Sequence, residues 1–377
     1  MKKSVFVVTL ILLLSLLATS TVSAGLGTKL PTWEQVFDPV ANIGEGAGTD
    51  SGVEFKGNLY FKFWGAETGD QVWGTKDGKN WWLAWEANDI QEGYEGIYRL
   101  SVFKNQLYTV VNDWNEELPG LMMRTPDGKH WEVVALFPFD DIGIWASGGF
   151  TSFQGWLYLG ACGFITEEDT VCGLWRSISG DAGTWENVVL FPGWNEIASF
   201  ATFKGALYVG SLFVLDGDGN FAPAQIWRSF DGVNWEPVIM DGFGDPANIV
   251  TWSFGQKDSY LYIGTGGFEG SGDIWRTKDG MNWQPVTTDG LGNPNNVAFG
   301  FVTYQNLLYA YSVNNNEEEG CIVYASKDGL HYKPVNEPGW GDPANNAVWT
   351  DDARVIFKGA LYMGSYGPGG VYKLAKP

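Results

Sequence analysis

Arg99 stands where sister segments of this chain carry Gly149, Ser199, Ser253 or Gly300. The run Asp351-Asp352-Ala353-Arg354 opens a segment whose sisters read WASGGF and IASFATF. A guanidinium in such a place grips a carboxylate of the protein or a polar ligand. Carboxyls in such a place can exchange protons across a cleft. Asp140, Asp141, Glu196, Asp351 and Asp352 are the candidates, and hydrolysis of a glycosidic bond needs two of them about 5–10 Å apart. The competing reading is structural, with Arg99 or Arg354 paired to Asp351 or Asp352, because charges near a crowded centre are normally paired.

Aromatic residues supply the second chemistry. The chain has 20 tryptophans. Ten recur at fixed places, and Trp194, Trp340 and Trp349 are among those that do not. An indole face stacks on the apolar face of a sugar, while neighbouring polar groups take its hydroxyls. Trp194, Trp340, Trp349, Arg99, Asp351 and Arg354 are therefore the expected ligand-binding set. Three loops, GFGDPAN at 242–248, GLGNPNN at 290–296 and GWGDPAN at 339–345, add Asp245, Asp342 and several Asn. They read first as rigid turns, and as a ring of oxygens around a central funnel only second.

The metal signal is thin. Asp216, Asp218 and Asn220 in DGDGN alternate like the first three ligands of a calcium loop. Phe221 occupies the place of the required glycine and no Glu follows at the twelfth position. A solvated turn is the leading reading, and calcium is the one cofactor these residues suggest. Cys162 and Cys172, ten apart, are expected to form a disulfide across a hairpin. Cys321 is left over as a buried small hydrophobe. The two histidines, His130 and His331, sit beside turns and build no Ser-His-Asp set or His-rich metal site. There is no Gly-Lys-Ser/Thr phosphate loop.

The elements that must position these residues are written as a repeat. Asp77, Asp127, Asp181, Asp231, Asp279 and Asp328 follow one another at steps of 50, 54, 50, 48 and 49 residues. All but Asp181 head an Asp-Gly-x-x-Trp/Tyr piece; there the chain reads Asp-Ala-Gly-Thr-Trp. Asp accepts backbone amides of a tight turn and Gly supplies positive φ. Six copies of one carboxylate argue for a turn and against catalysis. About twenty residues earlier comes a hairpin such as FKGNLYF, FKGALYV or FKGALYM, present seven times. The last copy is followed by GVYK and no turn, whereas WEQV near the other end matches the strand after a turn. This predicts an all-β, seven-bladed β-propeller with four antiparallel strands per blade, closed by the strand at about 32–37 pairing with strands at about 357–375. Residues 25–377 form that single domain.

The Ser/Thr-x-Asp-Gly-x-x-Trp pieces, Thr75 to Trp81, Thr125 to Trp131, Ser229 to Trp235 and Thr277 to Trp283 among them, resemble the Asp-box, or BNR repeat, of β-propellers. That resemblance implies the fold and leaves activity open, because the family includes enzymes, receptors and assembly factors. Sialidases of this kind resemble one another in three arginines gripping a carboxylate. Here Arg124, Arg176, Arg228 and Arg276 share one repeat position, which leaves two off-register arginines, so sialidase activity is not expected.

Residues 1–24 read as a removable secretory signal: Lys2-Lys3, an apolar run from Val5 to Leu17, and Val22-Ser23-Ala24. The formal net charge is −21, which repels nucleic acid and anionic lipid. The expected protein is a monomer that is secreted, periplasmic or at the cell surface, without membrane insertion. Its expected role is non-catalytic binding of an extracellular glycan or protein on the face of the inter-blade loops. A surface-assembly protein is the second reading, and a carbohydrate-active hydrolase or lyase the third.

Overall fold

The computed structural model describes residues 30–65, 69–90, 93–113, 118–137, 143–164, 170–268, 270–349 and 352–375. These residues are almost wholly antiparallel strands arranged as a β-propeller. The first sheet runs Gly48–Phe55, Asn58–Trp64, Gln71–Thr75, Trp81–Glu86. In the second, Gly96–Ile97 and Ser101–Phe103 share the innermost place ahead of Gln106–Asn112, Gly120–Thr125 and Glu132–Phe137. The third starts at Gly143–Phe153 and ends at Trp185–Pro192. The fifth starts at Asn296–Tyr304 and ends at Tyr332–Pro334.

The fourth sheet departs from expectation. Two repeats share one nine-stranded sheet, so the described strands form six sheets and not seven separate blades. Their junction is a single bridge between Leu212 and Val250. The strand Ala206–Leu215 runs longer than its sisters and pairs with the short strand Phe221–Ala222, and its end comes within reach of the next inner strand.

In the sixth sheet, Arg354–Phe357, Ala360–Gly364 and Val371–Leu374 are completed by Trp33–Phe37 from the other end of the chain. Trp33 lies opposite Leu374 and Phe37 opposite Val371. The first and last sheets also touch at the centre, where the Gly52 amide donates to the Asp352 carbonyl and the Thr49 amide to that of Ser365.

The Asp-Gly pieces are turns. In the first, the Asp77 carboxylate accepts the Lys79 and Asn80 amides, and the Thr75 hydroxyl accepts that of Gly78. His130 and His331 take the part played by Asn80, their Nδ1 atoms 2.6 and 2.8 Å from Asp127 and Asp328. These bonds hold the Asp carboxyls well below the usual carboxylate range.

Each turn also receives a tyrosine from the preceding repeat. Tyr60 meets Gly128, Tyr108 meets Gly180, Tyr158 meets Gly232, Tyr208 meets Gly280, Tyr262 meets Gly329, and Tyr362 of the last sheet meets Gly78 of the first. The hydroxyls of Tyr60, Tyr108, Tyr158 and Tyr208 donate to turn carbonyls, as Tyr108 does to Ser179 at 2.8 Å. Each of these glycines has positive φ, and at five of the six a Cβ would press into the tyrosine hydroxyl; at Gly180 it would meet the Tyr108 ring edge at 2.6 Å. Cys162 and Cys172, cross-strand partners in the third sheet, form a disulfide. Cys321 is free and buried, and burial pushes its thiol up to about 12.

Gly205 and Gly280 share φ near +80, but a Cβ on Gly205 meets nothing within 4 Å. Gly205→Ala is expected to cost roughly 1–2 kcal/mol from backbone strain alone. Gly280→Ala is expected to lower the melting temperature further, and adding Tyr208→Phe to recover part of the difference. Equal melting temperatures for the two alanine variants would refute the latch.

Candidate functional site

Bulges aim the inner strands. In the strand Gly48–Phe55 the pairing skips Asp50, and in Val250–Lys257 it skips Trp252. A bulged residue leaves the ladder and its side chain is redirected. Asp50, Tyr98, Trp252 and Asp352 all precede by one residue the position that is small in most repeats and is Arg in the second. Asp50, Tyr98 and Asp352 come together around Lys62 and Arg99, while Trp252 meets Trp349.

Arg99 crosses that axis. Its Nη1 donates to the Ala198 carbonyl at 3.1 Å, its Nη2 lies 3.4 Å from Glu196, and its Nε lies 3.3 Å from Asp352. The third sheet makes room with Gly149, whose missing Cβ would stand 2.7 Å from Nη1. Arg99 is 7 % exposed, whereas the side chains of Glu196 and Asp352 keep 28 % and 27 % of their surface accessible. Burial raises both carboxyl pKa values, Arg99 opposing it at each and Arg354 at Asp352.

A second cation lies beside the first. Lys62 is buried, 3.1 Å from Asp50 and 3.3 Å from Asp70. Asp70 also accepts the Ile97 amide at 2.9 Å. Burial outweighs the help of Lys62 and pushes the Asp70 carboxyl up to about 6. Tyr98, near Glu196, Lys62 and Asp70, is pushed up to about 12, again by burial.

An aromatic row borders this cluster. Trp64 packs on Tyr366 at 4.5 Å, Tyr366 stacks on Trp349 at 4.5 Å, and Trp349 meets Trp252 edge-on at 4.7 Å. Tyr366 is 40 % exposed. Its hydroxyl is in the field of Asp50, Lys62 and Glu196. The site thus offers four carboxylates, two internally paired cations and a partly open aromatic wall.

Of the residues expected from sequence, Arg99, Arg354 and Trp349 reach this region. Arg354 donates through Nε to the Phe301 carbonyl and lies 5.8 Å from the Tyr311 ring. Asp351, Asp140 and Asp141 lie outside the described residues. Trp194 does not present a stacking face: it is buried, stacked on Phe191 at 4.3 Å, with Nε1 donating to Gln225. Trp340 lies parallel on Tyr372 at 4.3 Å in the core beneath the last sheet. Its equivalent Phe243 stacks on Trp275 in the same way. The loop oxygens are spent as well, Asp245 accepting the Ala247 amide and Asp342 that of Ala344. Asn248, Asn296 and Asn345 close their loops onto Gly242, Gly290 and Gly339.

Asp216, Asp218 and Asn220 form an exposed turn in which one Asp216 oxygen accepts both the Asp218 and Asn220 amides at 2.9 Å. Among the described residues no group of three or more His, Cys, Asp or Glu is placed to hold a metal ion. Asp50, Lys62 and Asp70 went unread from sequence. The signal was there for Lys62, which stands where sister strands carry Val110, Gly160, Gly210, Gly264, Tyr311 and Gly364.

No protein-family model matches the chain. No curated protein matches its sequence either. Solved structures match it at low identity. A Trypanosoma rangeli sialidase in complex with sialic acid is 14 % identical over 74 % of this chain, with a TM-score of 0.46; the match spans 52 % of the sialidase, about half its length. A protein of unknown function from Dyadobacter fermentans is 13 % identical, over 88 % of this chain and 95 % of its own, with a TM-score of 0.45. A thermostable family-43 glycoside hydrolase is 13 % identical, over 64 % and 94 %, with a TM-score of 0.41. No helix among the described residues is long and apolar enough to cross a membrane.

The two carboxylate populations pull stability in opposite directions with pH. Asp70, Glu196 and Asp352 have raised folded pKa values, so their contribution is full below the unfolded value near 4 and is lost as pH rises, through about 6 for Asp70. The turn carboxylates have lowered values, so their contribution is present above about 4 and is lost on further acidification. Melting temperature is expected to peak near pH 4 and to fall as pH rises toward 6. Arg99→Met is expected to cost on the order of 2–4 kcal/mol at pH 7 and to recover stability on acidification. A loss that did not vary between pH 7 and 5 would contradict the axial pairing.

Proposed function

We propose that this chain is an exported, Asp-box-like propeller of seven four-stranded repeats that binds a sugar at the axial cluster. The seven-repeat reading takes the nine-stranded sheet as two repeats joined at one bridge, in keeping with the period near fifty. Export is read from Lys2-Lys3 and the apolar run that follows. The observation that carries the function is the juxtaposition of Tyr366 and Trp349 with Asp50, Glu196 and Asp352 on one face. A sugar ring offers a C–H face to aromatic rings and hydroxyls to carboxylates, and both kinds of partner stand side by side here.

A second reading, hydrolysis, is favoured by one specific contact. Glu196 and Asp352 share Arg99, whose guanidinium lies 3.4 Å from one and 3.3 Å from the other, so two carboxyls face a single cation, and paired carboxyls are what glycoside hydrolysis needs. Burial raises both carboxyl pKa values and Arg99 opposes it; an acid and a base or nucleophile would need the two environments to differ.

A glycan array probed with the mature protein, with calcium and then with chelator, tests the first reading. Saturable binding is expected, weakened at least about tenfold in Tyr366→Ala and Trp349→Ala variants that melt as cooperatively as the parent. Binding unchanged in both variants would remove the site, and an array blank in both buffers would move the reading to a protein partner. Release of reducing sugar from a bound glycan, abolished in Glu196→Gln and Asp352→Asn, would establish the second reading.

A further inference from the structure

Three phenylalanines lie on the fourth sheet outside the axial cluster. Phe213 stacks on Phe268 at 5.1 Å and 17°, Phe221 packs against Phe213 at 5.3 Å, and Phe221 meets Phe268 edge-on at 5.1 Å. They do not form an ordinary small core, for Phe221 is 49 % and Phe268 39 % exposed. Phe213 is held there at a cost. Its φ is +56 in the middle of the strand Ala206–Leu215, a conformation that strains any residue with a Cβ. Such strain persists only where the surroundings enforce it.

Phe213 also connects the patch to the site. It packs on the same apolar cluster as Trp349, around Trp252 and Leu212. Two groups of partly exposed rings, Trp64, Tyr366 and Trp349 on one side and Phe213, Phe268 and Phe221 on the other, therefore flank the buried cluster around Trp252 and mark out an aromatic track interrupted at that cluster, with ring contacts of 4.5 to 5.3 Å within each group. The Asp216–Asn220 turn, rich in hydrogen-bonding oxygens, leads directly into Phe221.

We propose that this aromatic track binds an extended, neutral polysaccharide chain that continues outward from the axial sugar site; the proposal rests on the sugar-binding reading above. A single sugar would need only the axial wall, and the outer phenylalanines lie beyond it. Charge selects the neutral polymer. Both axial cations are engaged by protein carboxylates, the rim is acidic, and the chain carries −21 overall, so a polyanion would be repelled.

The test is calorimetric titration of the mature protein with neutral ladders, namely cello-, xylo- and manno-oligosaccharides of one to six units. One ladder is expected to gain about tenfold or more in affinity between two and six units. The double variant Phe221→Ala/Phe268→Ala is expected to flatten that gain while leaving the affinity for the two-unit sugar unchanged. Trp349→Ala is expected to weaken every length. Since both phenylalanines are exposed, the double variant should melt like the parent, and Phe221→Ser alone gives a milder second probe. Equal affinity for short and long chains in the parent would overturn the track while sparing the axial site. Retention of the full length gain in the double variant would also overturn it, as would the absence of binding to all three ladders.

Discussion

The ring depends on one contact repeated around it, a tyrosine hydroxyl driven into the glycine of the next Asp-Gly turn. The contact links consecutive repeats through side chains, adding to the few backbone bonds that cross between them, such as Leu212 with Val250 and Gly52 with Asp352. It explains why the turn must contain glycine twice over, once for positive φ and once for the absence of a Cβ where the hydroxyl arrives. It also explains how the circle closes. Tyr362 from the last sheet docks on Gly78 of the first, just as Tyr60 docks on Gly128 one step later. In the sixth sheet no Asp-Gly turn is needed before the outermost strand, because Trp33–Phe37 arrives from the other end of the chain.

Confining the latches to one face frees the other. Lys56 and Lys104, in the hairpin turns, add to the latched face by donating to the carbonyls of Pro126 and Ile178 in the next repeat. The opposite ends of the inner strands carry no such duty, and there the repeat is broken by charge. Arg99 and Lys62 stand on ground that sister repeats give mostly to Gly, Ser or Val. Each is buried and each is held by two carboxylates. Burying charges in this way adds little net stability, because desolvation offsets the attraction between them. Departures from local rules without a stability gain are expected at functional sites.

Much of this was legible in the chain itself. The period near fifty, the hairpins and the match between WEQV and the missing outer strand foretold the propeller and its closure. What failed was the separation of the fourth and fifth repeats, since the extra length of Ala206–Leu215 brings Leu212 to Val250. Arg99 and Asp352 emerged because they violate the repeat on innermost strands. Lys62 violates it as plainly on a second strand, where the recurring Leu-Tyr pair two residues earlier masks it. Trp340 was misjudged for the opposite reason. It looks unique as a tryptophan, yet it fills the slot of Phe243 and Leu291 in three aligned loops, so its place is structural. Trp194 could not be sorted from sequence, because only its stacking on Phe191 shows that its face is taken.

The state of Arg99 bears on what kind of ligand the axis suits. An anion-binding arginine keeps its fork open toward the ligand. Here Nη1 serves the Ala198 carbonyl, Nη2 faces Glu196 and Nε faces Asp352. The guanidinium thus acts from beneath, fixing the two carboxylates in place and moderating the rise in their pKa values. What remains accessible above it is carboxylate oxygen, phenolic hydroxyl and aromatic ring. That combination accepts hydrogen bonds from hydroxyls and stacks on C–H faces, and it leaves a ligand carboxylate or phosphate without a partner. The same arginine that made the site conspicuous in the sequence is thus spent on holding carboxylates, which is what the proposed binding of an uncharged sugar asks of it.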